Sequence, residues 1–295
     1  MIAVQTLTFR VSGGDLTALR FGTGPRLVLA VHGITASGMQ FRAVARHLPA
    51  DWSLLALDLR GRGGSDTMPG PYGIDAHAAD VCAVARQLAA PVVLTGHSMG
   101  AYVALRAAVT APGLVDRLVL IDGGLPLPAP TGVDPDQVLH AAVGPALARL
   151  RLTFDSLDSY LAHFRAHPAL SAHWNDDLDA YVRYDATGVP GAIRSRVNAD
   201  AVGTDGRDVI ARAASFGDDL LRWAVPSSLL YAPRDALDRE PGMLPEPVVA
   251  HWVGATRLQA ELVPGTNHYT IVLADGPAQI IADRLTACTD EARTP

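Results

Sequence analysis

The stretch Pro91-Val92-Val93-Leu94-Thr95-Gly96-His97-Ser98-Met99-Gly100-Ala101-Tyr102-Val103-Ala104-Leu105 decides the reading of this chain. An apolar run of strand length leads directly into Gly96-His97-Ser98-Met99-Gly100, which has the form G-x-S-x-G, and an Ala-rich helical stretch (Ala101 to Val109) leads directly out. A tight strand-to-helix bend of this kind lifts a serine hydroxyl clear of the sheet edge. The flanking glycines let strand and helix approach without a Cβ clash, and the helix N-terminus offers a positive dipole end to a developing oxyanion. Ser98 is therefore the candidate nucleophile.

Working outward, the pattern on both sides is that of a helix-covered sheet. Ala3 to Val11 and Leu16 to Phe21 alternate around Gly13-Gly14-Asp15, a hairpin signal. Leu27 to Val31 and Leu54 to Leu57 are continuous apolar runs, as expected of strands buried on both faces. Helical stretches are expected near Met39 to Leu48 and over Ile74 to Ala89, and Leu118 to Ile121 is the next strand. The rhythm returns with Ser228 to Ala232, a helix near Val248 to Val253, Leu258 to Val263, and one final helix from about Tyr269 to Cys288. Between these halves, Pro-rich loop and amphipathic helix replace the buried strand runs. Leu157, Tyr160, Leu161 and Phe164 there fall on one helical stripe. The expected organisation is a core of residues 1–124 and 217–295, interrupted by a helical lid, or cap, over 125–216.

Bulk properties narrow the function classes. The chain of 295 residues is 49% hydrophobic and 18% charged, enough for a large core. A net charge of −6 gives no sign of a nucleic-acid or membrane partner. All 24 basic residues are arginine, which excludes Schiff-base, PLP-lysine and P-loop chemistry. Cys82 and Cys288 form no metal-ligand spacing, and two free thiols are expected rather than a disulfide. With neither a signal-peptide pattern nor a membrane-length apolar run, a soluble cytoplasmic protein is expected, a monomer or homodimer acting on a small molecule.

The residues around Ser98 resemble the α/β-hydrolase family, closest to lid-bearing esterases, lipases and related hydrolases, and the likeness extends over essentially the whole chain. The resemblance implies a mostly parallel eight-stranded sheet flanked by helices. Haloalkane dehalogenases and epoxide hydrolases, similar in fold, carry Asp at the bend where this chain has Ser98. In the family, the residue after an HG dipeptide and the residue after the nucleophile donate backbone N–H groups to the oxyanion. After His32-Gly33 these are Ile34 and Met99. His268, in Val263-Pro264-Gly265-Thr266-Asn267-His268 after the last strand, stands at the family's position for the general base. Asp235, in Tyr231-Ala232-Pro233-Arg234-Asp235, stands where the family often shows G-x-x-D, with Ala232 in place of the Gly. It is the expected acid, with Asp122 and Asp238 as alternatives. Asp58-Leu59-Arg60-Gly61-Arg62-Gly63-Gly64-Ser65 also matches the family, as a packed turn without chemistry.

The expected activity is hydrolysis of a carboxylic ester or lactone through an acyl-enzyme, with no metal or organic cofactor. An iminopeptidase-like amidase and a thioesterase share the same constellation, and a small-ligand receptor of this fold is the alternative from another class. Phe154, Tyr160, Phe164, Trp174, Tyr181 and Tyr184 suggest that the lid helps to wall the pocket for an apolar or aromatic substrate, although Phe154 and Phe164 suit lid packing better. Asn175, Asp176, Asp177 and Asp179 are expected to be a solvated helix start rather than a site for a substrate amine.

Overall fold

The computed structural model describes residues 2–88, 91–127, 134–223, 225 and 227–287. Eight strands form one sheet: β1 (Val4–Val11), β2 (Gly14–Phe21), β3 (Arg26–Val31), β4 (Trp52–Leu57), β5 (Val92–His97), β6 (Val115–Ile121), β9 (Ser227–Tyr231) and β10 (Leu258–Leu262). Two short strands, β7 (Ala186–Thr187) and β8 (Arg194–Ser195), make a separate antiparallel ribbon. The main sheet runs in the order β1-β2-β4-β3-β5-β6-β9-β10. Its first two pairings, β1 with β2 and β2 with β4, are antiparallel, and every other pairing is parallel. This is the expected mostly parallel, eight-stranded α/β arrangement.

The apolar runs are continuous because the central strands are covered twice. Successive side chains of a strand point to opposite faces. In β3, Leu29 and Val31 join one core, while Val28 and Ala30 join another. The first core is roofed by α2 (Ile74–Gln87) and α3 (Met99–Thr110), the second by α1 (Arg42–Arg46) and α11 (Asp275–Thr286). With no solvated face, β5 has no polar alternation to show, and all six of its residues are buried.

Between β6 and β9 the chain passes through α4 (Pro135–Arg149), α5 (Leu157–Arg165), α6 (Asp176–Asp185), the β7–β8 ribbon, α7 (Ala199–Ala211) and α8 (Ala213–Arg222). The stripe on α5 packs as its period requires, with Tyr160, Leu161 and Phe164 buried. In α8, Phe216 joins the first core and its ring stands 4.5 Å from that of Tyr102. After β9 come α9 (Glu246–Ala255) and α10 (Thr270–Leu273).

The single closing helix expected from about Tyr269 onward is two helices, α10 and α11, broken at Ala274, which is extended at φ −87°, ψ 146°. Pro277 explains the break. In a continuous helix its ring would clash with the Leu273 carbonyl, whereas in the first turn of a new helix its missing N–H costs nothing. The freed Leu273 carbonyl accepts a hydrogen bond from Asn175 Nδ2 at 3.3 Å. Cys82 is buried, and burial pushes its thiol up. Cys288 lies outside the described residues, as do Ala89, Pro128 and Pro130. No helix among the described residues is long and apolar enough to cross a membrane.

Candidate active site

Ser98 sits between the last residue of β5 and the first of α3, at φ 55°, ψ −122°. A non-glycine residue in that region stores about 1–3 kcal/mol of backbone strain, which the surroundings must hold. They hold it from both sides. The Ser98 N–H donates to the Ile121 carbonyl at 2.9 Å, and the Ser98 carbonyl accepts from Ala101 N–H at 3.0 Å. The glycines of the motif are dictated by space, since a Cβ on Gly96 would lie 2.0 Å from the Gly100 carbonyl oxygen. One on Gly100 would lie 2.1 Å from the Val31 oxygen.

His268 arrives from the loop after β10. Its Nε2 lies 3.0 Å from Ser98 Oγ, and its Nδ1 lies 2.7 Å from Asp122 Oδ2. The loop is fixed by Asn267, whose Oδ1 accepts from the N–H groups of Tyr269 and Thr270 at 3.0 and 2.9 Å. It is fixed again by His97, whose Nε2 donates to the His268 carbonyl at 2.8 Å, with the two rings 4.7 Å apart. Burial, with the His268 charge second, lowers the His97 pKa well below its ordinary value, so the ring beside His268 is neutral.

The expectation for Asp235 is corrected to this extent: the carboxylate that meets His268 is that of Asp122. Asp122 directly follows β6, the strand next to β5 on the side away from β3, so its carboxylate and Ser98 stand at the same sheet edge. It is buried, and its Oδ1 accepts from Ala232 N–H at 3.1 Å while Oδ2 faces the imidazole. Asp235 lies past the end of β9, one strand further out, and its carboxylate is fully engaged elsewhere. Oδ1 accepts from the N–H groups of Leu237 and Arg239 at 2.8 and 2.9 Å, and the Arg239 guanidinium holds Oδ2 at 2.8 Å. Slight burial opposes the charge, but these donors hold the Asp235 carboxyl below its ordinary value. Asp238 is likewise taken, by Arg234 Nη1 at 3.1 Å and Asn267 Nδ2 at 2.8 Å.

The two amides expected to receive an oxyanion, those of Ile34 and Met99, belong to residues that line one cavity with Ser98. Met99 opens α3, where a helix leaves its first N–H groups free of intrahelical partners. The loop before Ile34 is set by His32. Its Nε2 accepts from Leu59 N–H at 3.0 Å, so the proton lies on Nδ1, which donates to the Gly33 carbonyl at 2.7 Å. Because a trans peptide is planar, pinning the Gly33 carbonyl also aims the Ile34 N–H in the opposite direction. Burial is the main cause that lowers the His32 pKa to about 3, which keeps this tautomer neutral.

The cavity beside Ser98 has a volume of about 180 Å³. Its walls are aliphatic: Val138 and Leu139 of α4, Val209 and Ile210 of α7, and Met243 and Leu244, with Tyr102 and Phe216 as the aromatic members. None of the six aromatics lines it, neither Phe154 and Phe164, for which lid packing is expected, nor the other four. Five of them (Phe154, Tyr160, Phe164, Trp174 and Tyr181) pack together in a separate cluster with Leu161 and Leu178. Tyr184 instead packs at the edge of the second core and donates from its hydroxyl to Asp58 Oδ2 at 2.6 Å. The physical reason is that helices α5 and α6 need their own core, and edge-on ring pairs such as Phe154 with Tyr160, 5.0 Å apart, supply it. The acidic run at 175–179 is a helix start: Asn175 Oδ1 caps α6, Asp177 pairs with Arg42 and Arg46, and Asp179 pairs with Arg165 and Arg183. No cluster of three or more His, Cys, Asp or Glu side chains suited to a metal occurs among the described residues.

A serine on a strained strand-to-helix bend, an imidazole within reach and a buried carboxylate behind it define a class of site that recurs on parallel α/β sheets. The sequence profile of the alpha/beta hydrolase family matches residues 28–284, and the chain belongs to that family. Among characterised relatives it is similar to lipase LipV of Mycobacterium tuberculosis, 39% identical over 115 residues, which cover 38% of this chain and 43% of that protein. It is also similar to N-formylmaleamate deformylase of Pseudomonas putida, 43% identical over 122 residues, covering 38% of this chain and 45% of that protein. The chain thus spans less than half the length of these relatives. In fold it resembles the crystal structure of E-2-(acetamidomethylene)succinate hydrolase, with a TM-score of 0.80 over 97% of this chain and 100% of that one at 20% identity.

Proposed function

We propose that the protein is a serine hydrolase that cleaves a carboxylic ester with an apolar arm through an acyl-enzyme. The observation that carries this reading is the unbroken run of contacts from Asp122 through His268 to Ser98, opening into an aliphatic cavity. His268 Nε2 takes the Ser98 proton as Oγ attacks the carbonyl carbon, and Asp122 stabilises the imidazolium that forms. The amides of Ile34 and Met99 receive the oxyanion, a contribution on the order of 3 kcal/mol for one such donor. The imidazolium then protonates the leaving alkoxide and the C–O bond breaks. Water, deprotonated by His268, attacks the acyl-enzyme, and the second tetrahedral intermediate collapses to release the acid and return the proton to Ser98.

Helices α4, α7 and α8 supply seven of the sixteen residues that line the cavity with Ser98, which supports reading residues 125–216 as a cap that selects the substrate. Asp122 is the one ionisable carboxylate among the cavity residues, and the acidic run on α6 is paired with arginines, which favours an uncharged substrate arm over an amine. The test is a panel of p-nitrophenyl esters from acetate to decanoate, with an aminoacyl-p-nitroanilide as the amide control, on wild type and Ser98→Ala. Ester turnover that disappears in Ser98→Ala is expected. Unchanged turnover in the variant would overturn the reading.

A further inference from the structure

The turn at Asp58–Ser65, which the sequence presents as packing alone, holds a fully buried arginine that the scheme above does not use. Arg62 spends two donors on one acceptor: Nε and Nη2 reach the Ile34 carbonyl at 3.1 and 3.0 Å. Its third nitrogen, Nη1, donates to the Arg60 carbonyl at 2.9 Å and faces Asp205 Oδ2 at 2.7 Å. Asp205 belongs to α7 and is completely buried, as are Arg62 and His77. His77 Nε2 donates to the same Oδ2 at 3.0 Å, and Gly73 N–H occupies Oδ1 at 2.6 Å. A further backbone bond, from Asn198 N–H to the Gly61 carbonyl at 2.8 Å, seats the start of α7 on this turn.

We propose that Arg62, braced by Asp205, is a positioning residue for the oxyanion site, tying the Ile34 loop to the helix that walls the apolar cavity. The inference rests on the acyl-transfer reading above. Ile34 lies between two peptide planes. His32 pins the plane before it by the Gly33 carbonyl, and the Arg62 fork pins the plane after it by the Ile34 carbonyl. Between two fixed planes the Ile34 N–H has no freedom to turn from the position an oxyanion needs. The brace comes from the cavity wall itself, since Val209 and Ile210 follow Asp205 by about one helical turn. A buried ion pair is weak evidence of a stabilising role, because apolar replacements of the whole pair are often neutral or better. A two-pronged hold on the carbonyl of an oxyanion-donor residue has a use that an apolar replacement lacks.

The experiment compares wild type with Arg62→Lys, which keeps a cation facing Asp205 but loses the fork, and with the charge-free double variant Arg62→Met/Asp205→Asn. Folding is checked by circular dichroism and thermal melting. Turnover of p-nitrophenyl butyrate is then separated into kcat and KM, and the affinity of an alkylboronic acid, which forms an anionic tetrahedral adduct on serine, is measured. Misplacement of one oxyanion donor by a fraction of an ångström is expected to lower kcat about 10- to 100-fold, with KM within about threefold. Boronic-acid affinity should fall in parallel. Wild-type kcat in either folded variant would overturn the proposal. Loss of the folded state in both would also overturn it, in favour of a purely structural arginine. Ser98→Ala separates the two readings: if it keeps activity, the acyl-transfer scheme fails. If it is dead while folded Arg62→Lys is unimpaired, only the present inference fails.

Discussion

Replacing Asp122 by Asn tests the relay with one atom per molecule changed. In the wild type both carboxylate oxygens accept, Oδ1 from Ala232 N–H at 3.1 Å and Oδ2 from the His268 Nδ1 side at 2.7 Å. An amide offers one acceptor and one donor, so neither orientation serves both neighbours. With its oxygen on Ala232 N–H, its NH2 faces Nδ1 and drives the His268 proton to Nε2, where the ring cannot accept the Ser98 proton across 3.0 Å. With the amide flipped, a buried donor faces the Ala232 N–H, a mismatch of about 1–3 kcal/mol. The first arrangement is cheaper and catalytically wrong. A loss of about 10⁴ in kcat is expected, or roughly 5 kcal/mol of barrier at 1.36 kcal/mol per tenfold. Asp235→Asn, by contrast, changes only a turn closed by Arg239 and should stay within about twofold. The assay is steady-state hydrolysis of the best p-nitrophenyl ester at pH 8, with melting temperatures to show that both variants fold. More than a tenth of wild-type kcat in Asp122→Asn, or an equal collapse in Asp235→Asn, would refute the reasoning.

Two further predictions follow from buried histidine and from the cavity. His32 has a folded pKa near 3 against an ordinary 6.5, so the unfolded chain binds the extra proton and stability is lost as pH falls below about 6.5. At pH 5 this costs about 2 kcal/mol relative to pH 7.5. Asp58 works the other way, because burial raises its pKa to about 6 and the folded state takes up a proton as pH falls through that value. Urea melts at the two pH values should therefore show a pH-dependent loss that shrinks by about 2 kcal/mol in His32→Asn; an unaltered loss contradicts the assignment of a neutral buried ring. In the cavity, Ile210→Trp should fill the space available to the substrate's apolar arm. At about 0.8 kcal/mol per methylene, excluding four of them lowers kcat/KM for the octanoate ester by roughly 200-fold while leaving the acetate ester nearly unchanged. Equal losses on both esters would place the apolar arm elsewhere.

The parts of the site that sequence makes legible are those fixed by local backbone demands. Gly96 and Gly100 are required wherever a strand turns into a helix within van der Waals distance of its neighbours, so the spacing around Ser98 announces the bend. The buried runs at β3, β4 and β5 are legible for a related reason, since a strand covered on both faces leaves no polar register to confuse with a loop. Asp235 was the natural expectation for the acid because it occupies the family's usual place. Its carboxylate is instead closed into a turn with Arg239, four residues on. A signal for Asp122 was present. It is the residue immediately after an apolar strand run, just as Ser98 follows β5, and it precedes Gly123, where a Cβ would lie 2.3 Å from the Ser98 carbonyl oxygen.

What stays hidden in sequence is which helix faces which cavity. Aromatic content in the segment between β6 and β9 points to a wall of rings, yet rings are also what a small helical layer needs to cohere, and α5 and α6 use them for that. The wall is left to Val138, Leu139, Val209 and Ile210, residues whose helices meet at the cavity for reasons of tertiary packing alone. Arg62 belongs to the same category. Its neighbours in sequence mark a tight turn, and only the fold brings Asp205 from more than a hundred residues away to meet it. Placing a charge pair at that junction has a consequence for the division of labour in the molecule. On the proposed reading, the sheet and the loops at its edge bring Ser98, His268 and Asp122 together, while the Ile34 loop is held through a contact with the helical segment between β6 and β9. A change in that segment can therefore reach both the shape of the substrate pocket and the alignment of the Ile34 amide, through α7 alone.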